Sequence, residues 1–223
     1  ALTSSLELVD QARIEMCLVS HSHMDHVRDL ATIADNRAQL SAPPLVIAGI
    51  KETIVALKRH FFNDKLWPNF AVIPSPDEPT IVFKELPLEK PTKILDYTVT
   101  AIAVHHTVDS AGFVLSDDNG AIGFSGDTGP TDRLWEVLNE VENLKAMLME
   151  VSFPNAEQEL ARASGHHTPK TLLEDLKKFK APEELATMLY HIKPAFQAEV
   201  EKECAKLPGV NLEVLQLKDQ FIL

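Results

Sequence analysis

The sequence predicts an α/β protein. Three observations carry that prediction. Short apolar runs alternate with amphipathic stretches of helical period along the whole chain. The breaks between them are rich in Pro, Gly, Asn and Asp. The clusters of His, Asp and Glu fall where the apolar runs end, and in α/β sheets ligands bind at the carboxyl ends of strands.

Residues 14–20 (IEMCLVS) are a short apolar run and read as a buried strand, followed by a helix over 27–40 in which Val27, Leu30, Ile33, Ala34 and Ala38 recur near helical spacing. Pro43-Pro44 stops that helix. A strand over 45–48 and a helix over 50–62 follow. Segment 63–79 carries four prolines and reads as a loop or arm tied down by Trp67 and Phe70. Residues 80–86 and 94–104 are strand-like. Residues 112–116 and 121–125 flank Asp117-Asp118-Asn119-Gly120, and Asn-Gly marks a hairpin. Next come a helix over 132–141, a strand over 144–150 and helices over 156–163 and 169–179. Thr168 is the expected N-cap of the second of these and Pro169 its first helical residue. A strand over 185–190, a helix over 195–206 and a strand over 212–217 complete the chain. No internal repeat or convincing boundary divides it, so 1–223 reads as one domain.

The 223 residues include 45% apolar and 24% charged residues, as in ordinary globular domains. The net charge of −12 argues against a large nucleic acid as partner, because a phosphate backbone demands clustered Lys and Arg. No apolar run approaches the ~20 residues of a membrane span. The start has no basic segment followed by an apolar core, which predicts a cytoplasmic location. Cys17 and Cys204 lie too far apart in sequence for a metal pair and sit among apolar residues, as core thiols do.

The strongest chemical signal is His21-Ser22-His23-Met24-Asp25-His26. On an extended segment His21 and His23 point to one side. Asp25 and His26 follow at the turn into the helix, which rotates them toward a second point, so one segment can serve two metals. Imidazole and carboxylate together suit Zn²⁺, with Mn²⁺ or Fe²⁺ as alternatives. The plain alternative is a helix-entry loop with solvated histidines.

This hexapeptide resembles the hallmark of the metallo-β-lactamase superfamily, His-x-His-x-Asp-His after a strand. The resemblance implies an αββα sandwich of two mixed sheets with helices outside. It also implies a third histidine, an aspartate and a last histidine at strand ends. His106, Asp127 and His191 stand at such places. By resemblance His21, His23 and His106 hold one metal, Asp25, His26 and His191 the other, and Asp127 bridges them. Between His105 and His106 the related tRNA 3′-processing endonucleases decide, since their ligand stands six residues before a Gly-aromatic pair and His106 stands so before Gly112-Phe113. His105 is then expected to be partly buried and hydrogen-bonded. Taken alone, Asp127 reads as a turn carboxylate and His191 as a strand-end histidine.

Glu150 at a strand end and Gly165-His166-His167-Thr168 before a helix are similar to a pair in the tRNA-processing branch and its phosphodiesterase relatives. By that similarity Glu150 orients His166, which donates a proton or steadies charge at the scissile phosphate. Asp25, Glu150 and His166 are the expected catalytic residues. The plain alternative is a helix-capping loop.

Residues 62–70, Gly126-Asp127-Thr128-Gly129-Pro130 with Trp135, Gly165–Pro169 and His191-Ile192-Lys193-Pro194 resemble class II cyclic-nucleotide phosphodiesterases. The resemblance implies hydrolysis of 3′,5′-cyclic AMP or GMP to nucleoside 5′-phosphates by a metal-activated hydroxide, with two divalent ions as cofactors and a small substrate. Another binuclear hydrolase (a tRNA nuclease, a thioester or lactone hydrolase) and a non-catalytic metal-binding protein remain alternatives. Met24 replaces the common Leu, and Asp29 stands where a Gly is common. Only 20 residues precede His21, whereas the family has further strands there, so N-terminal strands are expected to be missing. Segment 63–79 offers a homodimer arm or an active-site rim.

Overall fold

The computed structural model describes residues 2–216 and 219–221. The chain divides into two compact units, residues 1–87 and 88–223, each with its own hydrophobic cluster.

In the first unit, β1 (Met16–Leu18), β2 (Leu45–Gly49) and β3 (Ile81–Glu85) form a sheet of order β1-β2-β3. Both pairings are parallel. The sheet expected to be mixed is therefore parallel throughout its described strands. Helix α1 (Leu2–Ser5) and helix α2 (Leu8–Arg13) precede β1. Nothing in the composition marked them, because each is shorter than a reliable helical period. They are held by side chains reaching backbone. Gln11 is buried and donates to the carbonyls of Thr3 and Leu6, and Arg37 donates to those of Gln11, Ala12, Ile14 and Pro43.

Helix α3 (Met24–Gln39) starts three residues earlier than expected and buries Val27, Leu30, Ile33 and Ala34. Its early start places Asp25 and His26 in the first turn. The next helix is α only over Lys51–Ala56 (α4) and continues as a π-helix over Leu57–Phe61. The 63–79 segment is non-helical and carries isolated bridges, Phe62 with Trp67 and Pro74 with Pro79. Trp67 and Phe70 do tie it down: the indole N–H of Trp67 donates to Ala31 O at 3.1 Å, and Phe70 is buried.

The second unit holds a mixed seven-stranded sheet of order β10-β9-β8-β7-β6-β5-β4. β4 (Thr92–Ile94), β5 (Tyr97–Val104), β6 (Ser110–Ser116) and β7 (Ala121–Phe124) form an antiparallel meander. The expected strand 94–104 is thus two strands, broken at Leu95, whose φ is +54°. The Asn-Gly hairpin forms as expected, with the N–H of Asp117 donating to Gly120 O. β7, β8 (Leu144–Glu150), β9 (Ala186–Tyr190) and β10 (Asn211–Val214) are parallel. The last strand was expected over 212–217, and Leu217 lies outside the described residues.

Because β5 and β7 are both antiparallel to β6, they run the same way as β8 and β9. The carboxyl ends of four strands therefore share one sheet edge. Helices α5 (Arg133–Leu138), α6 (Gln158–Ser164), α7 (Pro169–Leu176) and α8 (Gln197–Cys204) connect or flank these strands. Thr168 caps α7 in a capping box, as the sequence predicts. Asp175 on α7 accepts from the Trp135 indole and from the Thr131 N–H, which ties α7 to α5 and to the turn before α5.

Cys17 is half-buried and Cys204 buried. Burial lifts their thiols to about 11 and about 12, so both stay protonated at neutral pH and are inert core groups.

Candidate metal and catalytic site

In the first unit the hexapeptide leaves β1 and enters α3. His21 is fully buried. Its Nε2 lies 3.1 Å from Nδ1 of His23, and its ring centroid lies 4.2 Å from that of His26. Two imidazole nitrogens so close can share one proton or face one cation. His21 Nδ1 is engaged by Ser20 Oγ at 3.1 Å. Asp25 is more exposed, with Oδ2 3.7 Å from His26 Nε2.

In the second unit the expected residues come from the shared sheet edge. His106 follows β5, Asp127 follows β7, Glu150 ends β8 and His191 follows β9, while His166 sits in the turn between α6 and α7. Nitrogen or oxygen atoms of His106, Asp127 and His166 lie within 4.8 Å of one another, and so do those of Glu150, His166 and His191. Asp127 is buried, with Oδ2 3.2 Å from His191 Nε2.

His106 Nδ1 lies 2.9 Å from the carbonyl of Gly165. A carbonyl can only accept, so Nδ1 carries the proton and Nε2 keeps its lone pair. That is the arrangement metal-binding imidazoles use. Gly165 itself has φ +67°, and a Cβ there would lie 3.0 Å from His106 Cα. The glycine is what lets the carbonyl come so close. His105 is exposed rather than partly buried. It is hydrogen-bonded through its backbone, since its N–H donates to Thr128 Oγ1 and its carbonyl accepts from Gly129 N–H. Adjacent residues leaving a strand diverge, and only His106 turns inward.

Glu150 and His166 meet. Glu150 Oε1 lies 3.0 Å from His166 Nδ1, and both side chains are buried. Burial, then the nearby Asp127 carboxylate, pushes Glu150 well above the usual carboxyl range, while hydrogen bonds from Ser152, His167 N–H and Thr128 N–H pull it back. The neighbouring His167 is not solvated. It is fully buried, engages Thr171 Oγ1 at 3.1 Å, and burial lowers its pKa to about 4.

The sequence did not single out Ser152. It is buried, with Oγ 2.9 Å from His191 Nδ1 and 3.0 Å from Glu150 Oε2. The available signal was its spacing of two from Glu150 at a strand end, which keeps both on one face. Tyr190 was also passed over. Its hydroxyl donates to Gly126 O, beside Asp127, and burial raises its pKa further.

Residues 3–192 match the family model described as a Beta-lactamase superfamily domain. The chain belongs to the beta-lactamase superfamily. Within that superfamily, a probable 3′,5′-cyclic-nucleotide phosphodiesterase of Yersinia pestis is 29% identical over 210 residues, covering 82% of this chain and 58% of the relative. A ribonuclease Z of Pyrobaculum calidifontis is 24% identical over 195 residues, 78% of this chain and 67% of that protein. The crystal structure of unliganded yeast PDE1 superposes with a TM-score of 0.80 at 22% identity, over 92% of this chain and 67% of that one. The fold is the metallo-β-lactamase fold, as the hexapeptide implied. This fold binds divalent metals, and the His106 tautomer and the paired nitrogens of His21 and His23 suit such ions.

Proposed function

We propose that this chain is the metallo-β-lactamase-like portion of a binuclear-metal phosphodiesterase that hydrolyses 3′,5′-cyclic nucleotides to nucleoside 5′-phosphates. The carrying observation is the buried Glu150–His166 pair at 3.0 Å, set among the donor atoms of His106, Asp127 and His191. A thioester or lactone hydrolase has no need of a positioned imidazole for a departing ribose oxygen. The name of the Yersinia relative supports the substrate class. The family match, running through residues 3–192, supports reading 1–223 as one domain.

In this proposal His21, His23 and His106 would hold one ion and Asp25, His26 and His191 the other, with Asp127 serving both. Bound there, a pair of divalent ions supplies Lewis-acid stabilisation and a water acidified toward neutrality. The rest is done by the chain. Glu150 accepts from His166 Nδ1 and so sets the imidazole's orientation. His166 then offers Nε2–H to the leaving ribose oxygen as general acid. The ring is held between His106, at 5.0 Å between centroids, and His191, stacked at 5.3 Å. Phe153 packs edge-on at 5.8 Å and keeps that side of the ring dry.

The ribonuclease Z relative favours a second reading, cleavage of a tRNA precursor. The excess of 33 Asp and Glu over 21 Lys and Arg opposes it. Among the described residues no helix is long and apolar enough to cross a membrane. The deciding experiment measures bound divalent ions and turnover of cyclic AMP, cyclic GMP and a precursor tRNA by the same preparation. Two ions per chain and release of nucleoside 5′-phosphate are expected. Cleavage of tRNA with neither cyclic nucleotide turned over would overturn the reading.

A further inference from the structure

We infer that Ser152 is a positioning residue that ties the proposed metal ligand His191 to the Glu150–His166 pair, so that ion binding and proton-donor placement are set by one hydroxyl. The inference rests on the proposed function in treating His191 as a ligand and His166 as the proton donor.

Four polar atoms surround Ser152 Oγ. Glu150 Oε2 lies at 3.0 Å, His191 Nδ1 at 2.9 Å, His191 O at 3.2 Å and His166 Nδ1 at 3.3 Å. A hydroxyl has one proton to give and can accept two. For His191 to offer Nε2 to an ion, its own proton must sit on Nδ1, and Ser152 Oγ is placed to receive it. His166 Nδ1 lies closer to Glu150 Oε1, at 3.0 Å, and belongs to the carboxylate. The serine proton then goes to Glu150 Oε2, ahead of the more distant His191 carbonyl. The chain of donors runs from His191 through Ser152 to Glu150, and from His166 to the other oxygen of the same carboxylate. Both imidazoles are thereby held with Nε2 turned away from the network. The neighbours His106, Asp127, Phe153 and Tyr190 supply no hydrogen bond to Ser152. Outer partners of metal-bound histidines commonly contribute 10–100-fold to ion affinity.

The test uses the whole chain with Zn²⁺ alone as the probe, titrated by competition with a chelator. Ser152→Ala should weaken one of the two Zn²⁺ affinities by about 10–100-fold and leave the other unchanged. Turnover at saturating Zn²⁺ should fall as well, because Glu150 loses a donor. Ser152→Thr keeps the hydroxyl and should restore both. Equal affinity in folded Ser152→Ala, an equal loss at both ions, or failure of Thr to rescue would overturn the inference. If Ser152→Ala does not fold, ¹⁵N spectra of the Zn²⁺-loaded parent decide it. A His191 ring protonated at Nδ1 is expected, and one protonated at Nε2 overturns it. A parent that binds no Zn²⁺ removes the proposed function. A parent that binds two, with Ser152→Ala unaltered, removes this inference alone.

Discussion

The two clusters of candidate metal donors are built in opposite ways. In the first unit four donors come from six consecutive residues, and one strand-to-helix turn places them all. In the second unit the donors come from the end of β8, from separate loops after β5, β7 and β9, and from the turn before α7. A local cluster needs only its own backbone to be right. A dispersed one needs every strand in register, and it is there that buried supports accumulate: the Gly165 carbonyl on His106, Ser152 on His191, Glu150 on His166. Support should therefore matter more in the second unit, and the chemistry there should separate from metal holding.

The largest effect sharpens that separation. His166→Ala should cut turnover about 10²–10⁴-fold, the range for a positioned general acid, with metal content unchanged. Glu150→Gln should lose part of that factor, and the double variant should lose less than the product of the two, because the residues act as a unit. Near-normal turnover in folded His166→Ala, or loss of its metal, would break the distinction.

Next is an acid sensitivity arising at His167 in the second unit. His167 is lowered to about 4 from 6.5, chiefly by burial. The unfolded chain takes up this proton near 6.5 and the folded one resists it, so stability is full above that pH and drains away as pH falls toward 4. Between pH 7 and pH 4.5 the loss should be about 2 kcal/mol, read as the difference between parent and His167→Gln in urea melts at the two pH values. Parallel curves for the two would refute it.

A smaller effect follows at Gly165. Gly165→Ala must accept φ +67° and a Cβ 3.0 Å from His106 Cα, at a cost of about 1–3 kcal/mol. Melting should show that loss together with weaker metal binding, since the carbonyl would be displaced from His106. The smallest effect should be in the first unit. Ser20→Ala removes the partner of His21 Nδ1, yet the turn still aims the ring, so a loss of about 10-fold in ion affinity is expected, the low end for such partners. A loss exceeding that of Ser152→Ala would invert the comparison.

What could be read from the sequence follows the same division. The hexapeptide announced itself because its donors are adjacent, and strands β2 and β8 were legible as apolar runs. Asp127, His106 and His191 needed the family likeness, since a turn aspartate or a strand-end histidine carries no signal alone. Ser152 escaped because serines are common and its role exists only once β8 and β9 lie side by side. The break at Leu95 was hidden by an apolar residue in a left-handed turn. Helices α1 and α2 depend on Gln11 and Arg37 reaching backbone carbonyls, which no periodicity reports.

His191 has φ +66°. That left-handed backbone is tolerated by His, Asn, Asp and Gly and resisted by β-branched side chains. The choice of knock-out at this position is therefore not neutral. Replacement by Val would mix the loss of the imidazole with a distorted exit from β9, and a loss of activity would say little about metal. Replacement by Asn removes the imidazole and keeps the turn, so His191→Asn is the clean control for any experiment that counts ions at this edge.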